Sequence, residues 1–185
     1  MNNKKYKIIN IIIAALCCLI LVGIDQLTKQ LAVKNLQVGE KVVFIKGLLN
    51  LRLEYNTGFA FGMGGGYQIV WGIVSIIGCA VIGFFMRKID FKHNLVFSLC
   101  LILLFAGTFG NMIDRLFYKK GVIDFFDLAF MQFAVFNVAD SCITLGAILL
   151  AVYILFIYKE PNKKKENEDA NSNDIIEEEK EPSDD

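Results

Sequence analysis

Four apolar stretches, each about as long as a membrane is thick, constrain this chain more than any other feature of its sequence. They cover residues 8–24, 67–86, 95–113 and 133–158. The hydrocarbon core of a bilayer takes about 17 to 25 residues of helix, and all four stretches are long enough. The sequence therefore predicts an all-α membrane protein with four transmembrane helices.

The first apolar stretch has two interpretations, because Lys4, Lys5 and Lys7 precede it. A basic start followed by an apolar segment is also typical of a secretory signal peptide. No small-x-small cleavage site follows, and the pattern continues through residues 25–33 as an amphipathic extension. We therefore interpret this stretch as a retained span.

Basic residues indicate which ends of the predicted helices face the cytoplasm, since short cytoplasmic segments are enriched in Lys and Arg. The basic segments contain Lys4, Lys5, Lys7, Arg87, Lys88, Lys92, Lys159 and Lys163–Lys165. Their positions predict that both termini are cytoplasmic. Residues 34–66 and 116–132 are then extracytoplasmic.

The last 27 residues differ from the rest of the chain, although the net charge of the whole is zero. Residues 1–158 hold eight of the nineteen acids and fourteen of the nineteen bases, and residues 159–185 hold the other eleven acids. Such a polar segment cannot bury enough apolar surface to offset the entropy of ordering it. We predict a membrane domain over 1–158 and a disordered, mainly acidic cytoplasmic tail over 159–185.

The first outer segment carries a strand pattern. Apolar and polar residues alternate strictly over residues 49–56, which is typical of a half-buried strand. Residues 42–45 can pair with it across the turn at Lys46-Gly47, giving a small extracytoplasmic β-sheet. The second outer segment, residues 122–133, is too short to span and is predicted to lie at the interface as a strand or short helix.

A glycine-rich segment follows the predicted strand, from Asn56-Thr57-Gly58 through Gly64, Gly65 and Gly66. Glycine permits unusual backbone angles and close approach by a ligand. A ligand-binding segment and a flexible connection to the second span both fit this composition.

Several kinds of catalytic site have almost no residues to draw on. His93 is the single histidine, and the five cysteines lie in apolar runs without Cys-x-x-Cys spacing. A Ser-His-Asp triad, a Cys-His pair and a His-rich zinc site are therefore not expected, nor is any metal or organic cofactor. An enzyme of this composition must therefore use carboxyl groups as its catalytic residues.

Asp124 and Asp140, sixteen residues apart, are the predicted catalytic pair. A connection this short can fold back and bring both carboxyls to one depth at the outer boundary. Two close carboxylates do not both ionise readily, so the pair holds one proton and provides an acid and a base. Asp114 is the alternative to Asp124, but it adjoins Arg115 and is predicted to be a permanently charged partner.

Other polar residues lie beside these acids. Asn111, Asn137 and Arg115 are predicted to hold substrate amides and carbonyls. Asp25 and Lys29 share one helix face at i and i+4, a spacing that also fits a purely structural ion pair. An ionisable group at membrane depth costs about 2.5 to 3.5 kcal/mol, so a cluster of such groups indicates function rather than mere cross-linking of helices.

Paired carboxyl groups beside side chains that can hold amides indicate an aspartic peptidase. Three other interpretations compete with it, and one of them is a different class of aspartic protease. A small proton- or cation-coupled transporter would have acids spaced along a path through the membrane, whereas these acids gather at one side. A non-catalytic assembly subunit would leave the paired acids unexplained. A presenilin-like protease would carry Tyr-Asp and Gly-x-Gly-Asp motifs, which are absent.

The sequence resembles the bacterial lipoprotein signal peptidases, the type II signal peptidases, over residues 8–158. Five blocks carry the resemblance: Asp25-Gln26-Leu27-Thr28-Lys29, Asn56-Thr57-Gly58-Phe59-Ala60-Phe61, Gly110-Asn111-Met112-Ile113-Asp114-Arg115, Val122-Ile123-Asp124-Phe125 and Phe136-Asn137-Val138-Ala139-Asp140-Ser141. The resemblance implies an aspartic endopeptidase of the bacterial inner membrane with its active site toward the outer face. Its substrates would be diacylglyceryl-modified prolipoproteins, cleaved just before the lipidated cysteine.

The resemblance also assigns roles. Asp124 and Asp140 would be catalytic; Asn56, Gly58, Asn111, Arg115 and Asn137 would bind substrate; Asp25, Lys29 and Asp114 would support them. Membrane lipids and globomycin-type inhibitors are the other implied partners, with no nucleic acid and no cofactor. The chain departs from the family at Phe59, where alanine is usual, and at Ala106-Gly107-Thr108, where Gly-Gly-Ala is usual.

Overall fold

Helices and a small sheet alternate along the chain in the structure, a computed structural model that describes residues 3–58 and 67–158. The order is α1 (Asn3–Asn35), β1 (Lys41–Ile45), β2 (Leu49–Asn56), α2 (Gln68–Phe85), α3 (Leu95–Phe117), β3 (Val122–Leu128) and α4 (Val138–Val152). Residues 152–158 belong to a second unit and include a short π-helix, Tyr153–Ile157. Phe59 and the predicted tail lie outside the described residues, and the division after residue 158 stays a prediction.

Four helices are long and apolar enough to cross a membrane, as predicted: Lys4–Asn35, Gln68–Lys88, Leu95–Phe117 and Val138–Ile157. Two of them continue past the predicted apolar runs, α1 beyond residue 24 and α3 beyond residue 113. The reason is that the first charged residues after these runs, Asp25 and Asp114, turn into the protein and are almost fully buried. Because these residues find partners there, neither helix has to end at them.

The helix α3 lies at the centre and packs against both α1 and α2. Two glycines on α3 permit close contacts near its C-terminal end. A Cβ atom on Gly107 would lie 2.4 Å from the carbonyl oxygen of Ala139, and one on Gly110 would lie 2.7 Å from Oδ2 of Asp25. Small residues let helices approach closely in membranes, and here they bring α1 and the start of α4 against the same turn of α3.

The sheet has three antiparallel strands in the order β1-β2-β3. The predicted pairing of β1 with β2 is confirmed, and Gly47 in the turn between them adopts a φ of 77°. The second outer segment forms the third strand of this same sheet, with Asn56 opposite Val122. Of the two predicted forms of this segment, a strand or a short helix, the structure has the strand. β3 adds to the sheet because pairing with β2 satisfies its backbone groups.

The sheet packs against the C-terminal part of α1 through a small apolar core. Ala32, Leu53, Ile123 and Phe125 are its buried members. Side chains alternate between the two faces of a strand. Because Ile123 and Phe125 point toward α1, Asp124 between them points the other way, toward the segment that precedes α4.

Candidate active site

A buried lysine connects α1 to α3. Lys29 is 0% exposed, and its Nζ lies 2.8 Å from Oδ2 of Asp25 and 2.8 Å from Oδ2 of Asp114. Nζ also donates to Oδ1 of Asn111 at 3.0 Å. One cation thus neutralises part of the charge of two carboxylates, and all three donors of the ammonium group have acceptors.

The two carboxylates bonded to Lys29 also hold the neighbouring elements. Oδ1 of Asp25 accepts the backbone N–H of Ala139 at 2.9 Å, in the first turn of α4. Oδ2 of Asp114 accepts the backbone N–H of Ile123 at 3.2 Å, in β3. This lysine cluster, Asp25, Lys29 and Asp114, therefore sets the positions of both segments that carry the predicted catalytic acids.

The cation that pairs with Asp114 is Lys29, whereas the sequence pointed to the adjacent Arg115. The reason is helical geometry, since consecutive residues on a helix do not face each other. Arg115 instead donates from Nη1 to the backbone carbonyl of Asn111 at 3.4 Å. Asp114 is fully buried and does not line the open cleft that Asp124 lines.

The start of α4 fixes the second predicted catalytic acid. Oδ1 of Asn137 accepts the backbone N–H of Asp140 at 2.8 Å, and Oδ2 of Asp140 accepts the backbone N–H of Asn137 at 3.2 Å. This reciprocal arrangement is a helix capping box. The carboxylate of Asp140 also benefits from the positive end of the helix dipole.

Two asparagine side chains join Asp124 to Asp140. Nδ2 of Asn137 donates to Oδ1 of Asp124 at 2.7 Å and to Oδ1 of Asn111 at 3.0 Å. Nδ2 of Asn111 donates to Oδ1 of Asp140 at 2.8 Å. Since Lys29 holds the oxygen of the Asn111 amide, the amide nitrogen must face Asp140. The lysine cluster therefore orients the asparagine that contacts the acid.

The surroundings of Asp124 favour its protonated form over its charged form. Its side chain is 3% exposed, and burial raises its pKa to about 8, with a further contribution from the negative charge of Asp140. Hydrogen bonds from Asn137 and from Nδ2 of Asn56, at 3.2 Å, oppose this shift. A carboxyl group that carries a proton beside a second carboxylate can serve as an acid, which is the division of roles that an aspartic protease needs.

Both acids line a cleft of about 740 Å³. Its polar end contains Asn56, Asn111, Arg115, Asp124, Asp140 and Ser141, and its apolar part includes Trp71, Val74, Phe133, Ile143, Leu145 and Ile148. The polar end lies between the sheet and the C-terminal end of α3, and the apolar part lies between α2 and α4. Such a cleft can hold a molecule that is apolar over most of its length and polar at one point.

The structure brings the predicted site residues together. Some of them line the cleft, and others are buried within the protein. Asn56, Asn111 and Arg115 line the cleft, and Gly58 donates its N–H to Oδ1 of Asn56 at 3.0 Å. Asn137 is 0% exposed, and its amide is used entirely within the protein. Its geometry therefore favours positioning of the acids over contact with substrate.

Sequence reasoning missed two contributions to the site. Nε2 of Gln26 donates to Oδ1 of Asp114 at 3.0 Å and to the backbone carbonyl of Gly110 at 3.2 Å. Gln26 lies between Asp25 and Lys29 in the sequence, and this position could have identified it as part of the site. Trp71, on the face of α2 toward the cleft, carries no polar motif that could have identified it. Over residues 3–58 and 67–158, no three His, Cys, Asp or Glu side chains are grouped to hold a metal ion.

Comparisons with known proteins agree with this architecture. A family model described as signal peptidase (SPase) II matches residues 17–156. The lipoprotein signal peptidase of Lactobacillus johnsonii is 38% identical over 139 residues, which are 75% of this chain and 89% of that protein. The lipoprotein signal peptidase of Staphylococcus aureus is 34% identical over 168 residues, which are 90% of this chain and 98% of that protein.

Solved structures show the same fold. A bacterial membrane enzyme solved by the in meso method at 2.3 Å resolution superposes with a TM-score of 0.71 at 32% identity, covering 80% of this chain and 93% of that one. A second, solved at 1.9 Å, gives a TM-score of 0.69 at 33% identity, covering 78% and 94%. The chain belongs to the signal peptidase II family, and it is a multi-pass bacterial membrane protein, an aspartic peptidase that removes signal peptides from prolipoproteins.

Proposed function

We propose that this enzyme cleaves diacylglyceryl-modified prolipoproteins just before the lipidated cysteine, with Asp124 and Asp140 as the catalytic pair. The observation that carries the proposal is the asparagine bridge. Two acids from different elements line one cleft, and Asn111 and Asn137 connect them. Each acid therefore has a fixed position before substrate arrives, as preorganised catalysis requires.

The proposed reaction uses one water molecule. Ionised Asp140 takes a proton from the water molecule while the water oxygen attacks the scissile carbonyl carbon. Protonated Asp124 gives its proton to the carbonyl oxygen. The resulting gem-diol collapses when Asp140 passes its new proton to the peptide nitrogen and the C–N bond breaks. Asp124 recovers a proton from a hydroxyl group, which leaves a carboxylic acid product and restores both aspartates.

The direction of proton flow rests on two features of the acids. The pKa of Asp124 is raised to about 8, so it begins with a proton at neutral pH. Asp140 accepts hydrogen bonds from Asn111 and from the N–H of Asn137 at the start of a helix, and both offset part of the cost of burying its charge. Arg115, in the same cleft, is placed to bind substrate carbonyls near the developing charge.

The shape of the cleft supports a substrate that stays in the bilayer. The apolar part between α2 and α4 would receive the acyl chains and the signal helix, while the scissile bond would lie at the polar end. Extracting a chain from lipid costs about 0.8 kcal/mol per methylene group, and this arrangement avoids most of that cost. The same cleft would bind globomycin-type inhibitors.

The charge distribution supports an active site on the extracytoplasmic side. The turn between α2 and α3 carries Arg87, Lys88 and Lys92, at the end of the helices opposite to the sheet and the two acids. Short basic segments stay in the cytoplasm. This orientation would leave both termini cytoplasmic and place the site where translocated lipoproteins emerge.

We expect purified enzyme to shorten a diacylglyceryl-modified prolipoprotein and to leave the same protein without the lipid uncut. The lipid provides the apolar part of the molecule that the cleft accommodates. A gel-shift assay with both substrates measures the result, and sequencing of the product from its N-terminus locates the cut. Equal cleavage of the unmodified protein, or a cut elsewhere than before the cysteine, would contradict the proposal.

We expect kcat/KM to fall as the pH rises through about 8. The pKa of Asp124 is raised to about 8, so above that pH the carboxyl group loses the proton that it must donate to the carbonyl oxygen. The midpoint of the fall belongs to the pair of acids and not to one residue. A pH–rate profile, with thermal unfolding at each pH as the control for folding, measures it. Activity that climbs steadily across this range would contradict the assignment of Asp124 as the acid.

A further inference from the structure

A second groove, of about 340 Å³, opens from the polar end of the cleft and runs along the sheet. Arg52, Glu54 and Tyr55 of β2 line it. The cleft and this sheet groove share Asn56, Asp124, Ala134 and Val135 as lining residues. A peptide held at Asp124 can therefore extend from one into the other without a break.

Arg52 presents an unused hydrogen-bond donor in the sheet groove. Its Nη2 bonds to the carboxylate of Glu54. Its Nε–H is buried and has no hydrogen-bond partner among the described residues. A buried donor without an acceptor costs free energy, so this atom is an open position for an acceptor from another molecule.

The charges around Arg52 are already balanced. Arg52 pairs with Glu54, and the nearby Lys41 pairs with Asp127, with 2.9 Å between Nζ and Oδ2. A further carboxylate would gain little here, because each cation already has an anionic partner. The vacant donor therefore suits a neutral acceptor, and the carbonyl oxygen of a peptide bond is the one that every polypeptide carries.

We propose that the sheet groove binds the first residues of the mature lipoprotein, those after the lipidated cysteine, and that Arg52 Nε–H donates to one of their backbone carbonyl oxygens. This inference rests on the proposed cleavage reaction. The apolar cleft accommodates the lipid and the signal helix, so the mature chain must leave along a polar route toward water. Recognition of a backbone carbonyl makes binding depend on the length of the mature chain and not on its side chains.

The test uses two prolipoproteins with the same signal peptide and diacylglyceryl cysteine. In the short substrate the chain ends soon after the cysteine, and in the long one it continues with neutral residues. Arg52→Lys keeps the positive charge but removes the Nε–H. We expect this variant to raise KM for the long substrate about five- to tenfold, with kcat nearly unchanged. For the short substrate, KM and kcat should both stay the same.

The matched control is Lys46→Gln, which removes an exposed charge from the turn between β1 and β2, outside the groove. It should leave KM and kcat unchanged for both substrates. An unchanged KM for the long substrate in Arg52→Lys would overturn the inference. An equal rise for both substrates would also do so, because it would show a general effect on the site.

A third substrate, with acidic residues in the mature chain, tests what is recognised. Arg52→Lys should raise its KM as much as that of the neutral long substrate. An effect confined to the acidic substrate would show recognition of charge and would overturn the backbone assignment. Wild-type enzyme that cleaves none of the three would refute the proposed cleavage itself, and the groove assignment with it.

Discussion

Asp124→Asn and Asp140→Asn should each lower the rate of prolipoprotein cleavage by about 10³-fold or more, which is within the range of losing a general acid or base. Asparagine has nearly the shape of aspartate but neither gives nor takes a proton at these pH values. Both acids act in every step of the proposed reaction. Initial rates with purified enzyme and a diacylglyceryl-modified substrate measure the effect.

The same variants should remain folded. The pKa of Asp124 is raised to about 8, which favours its neutral form at neutral pH, so the neutral amide of Asp124→Asn is a close replacement. The oxygen of the new amide can still accept from Asn137 or Asn56, which are its present donors. Thermal unfolding in detergent should therefore show a midpoint close to that of the wild type.

Asp127→Asn is the matched control for these variants. Asp127 lies on the same strand, is 6% exposed and bonds to Lys41 and Asn50, but it does not line the cleft. Its variant should retain activity. If Asp124→Asn stayed active and a folded Asp114→Asn did not, the acid paired with Asp140 would have to be Asp114.

The four spans and the strand pairing followed from the sequence because both depend on local patterns. Hydropathy over a window predicts a span, and alternation over residues 49–56 predicted β2. Which residue a buried side chain contacts, and which strand another strand pairs with, depends on the tertiary structure. The sequence did not predict these partners. Asp114 pairs with Lys29 from another helix, and β3 joins the sheet that β2 begins. Neither contact leaves a signal in the residues that flank it in sequence.

The site itself was only partly predictable, for the same reason. The motifs placed Asp124, Asp140, Asn111 and Asn137 near one another, and the structure agrees. The motifs did not show which amides contact substrate and which hold the acids. That distinction depends on burial and on hydrogen-bond partners, and Asn137 has all of its partners inside the protein. The interpretation of the acids as a transporter path finds no support, because those near the cleft form one cluster.

Lys29→Met should destabilise the folded protein by about 3 to 5 kcal/mol, the usual cost of removing one partner from a buried ion pair. The substitution would leave Asp25 and Asp114, both 1% exposed or less, without a cation. Methionine fills a similar volume, so loss of charge is the dominant change. Thermal unfolding in detergent should show a large fall in the midpoint.

Two further variants separate charge from packing in this prediction. Lys34→Met removes an exposed lysine from the last turn of the same helix and should change stability by no more than about 0.5 kcal/mol. Adding Asp25→Asn and Asp114→Asn to Lys29→Met removes both unpaired charges and should recover much of the lost stability, because a neutral set of similar volume costs less to bury than an unpaired carboxylate.

The triple variant should still cleave poorly, because Asn111 would lack the lysine that turns its amide nitrogen toward Asp140. Full activity in that triple variant would show that the lysine cluster only holds the helices together and does not orient the acids.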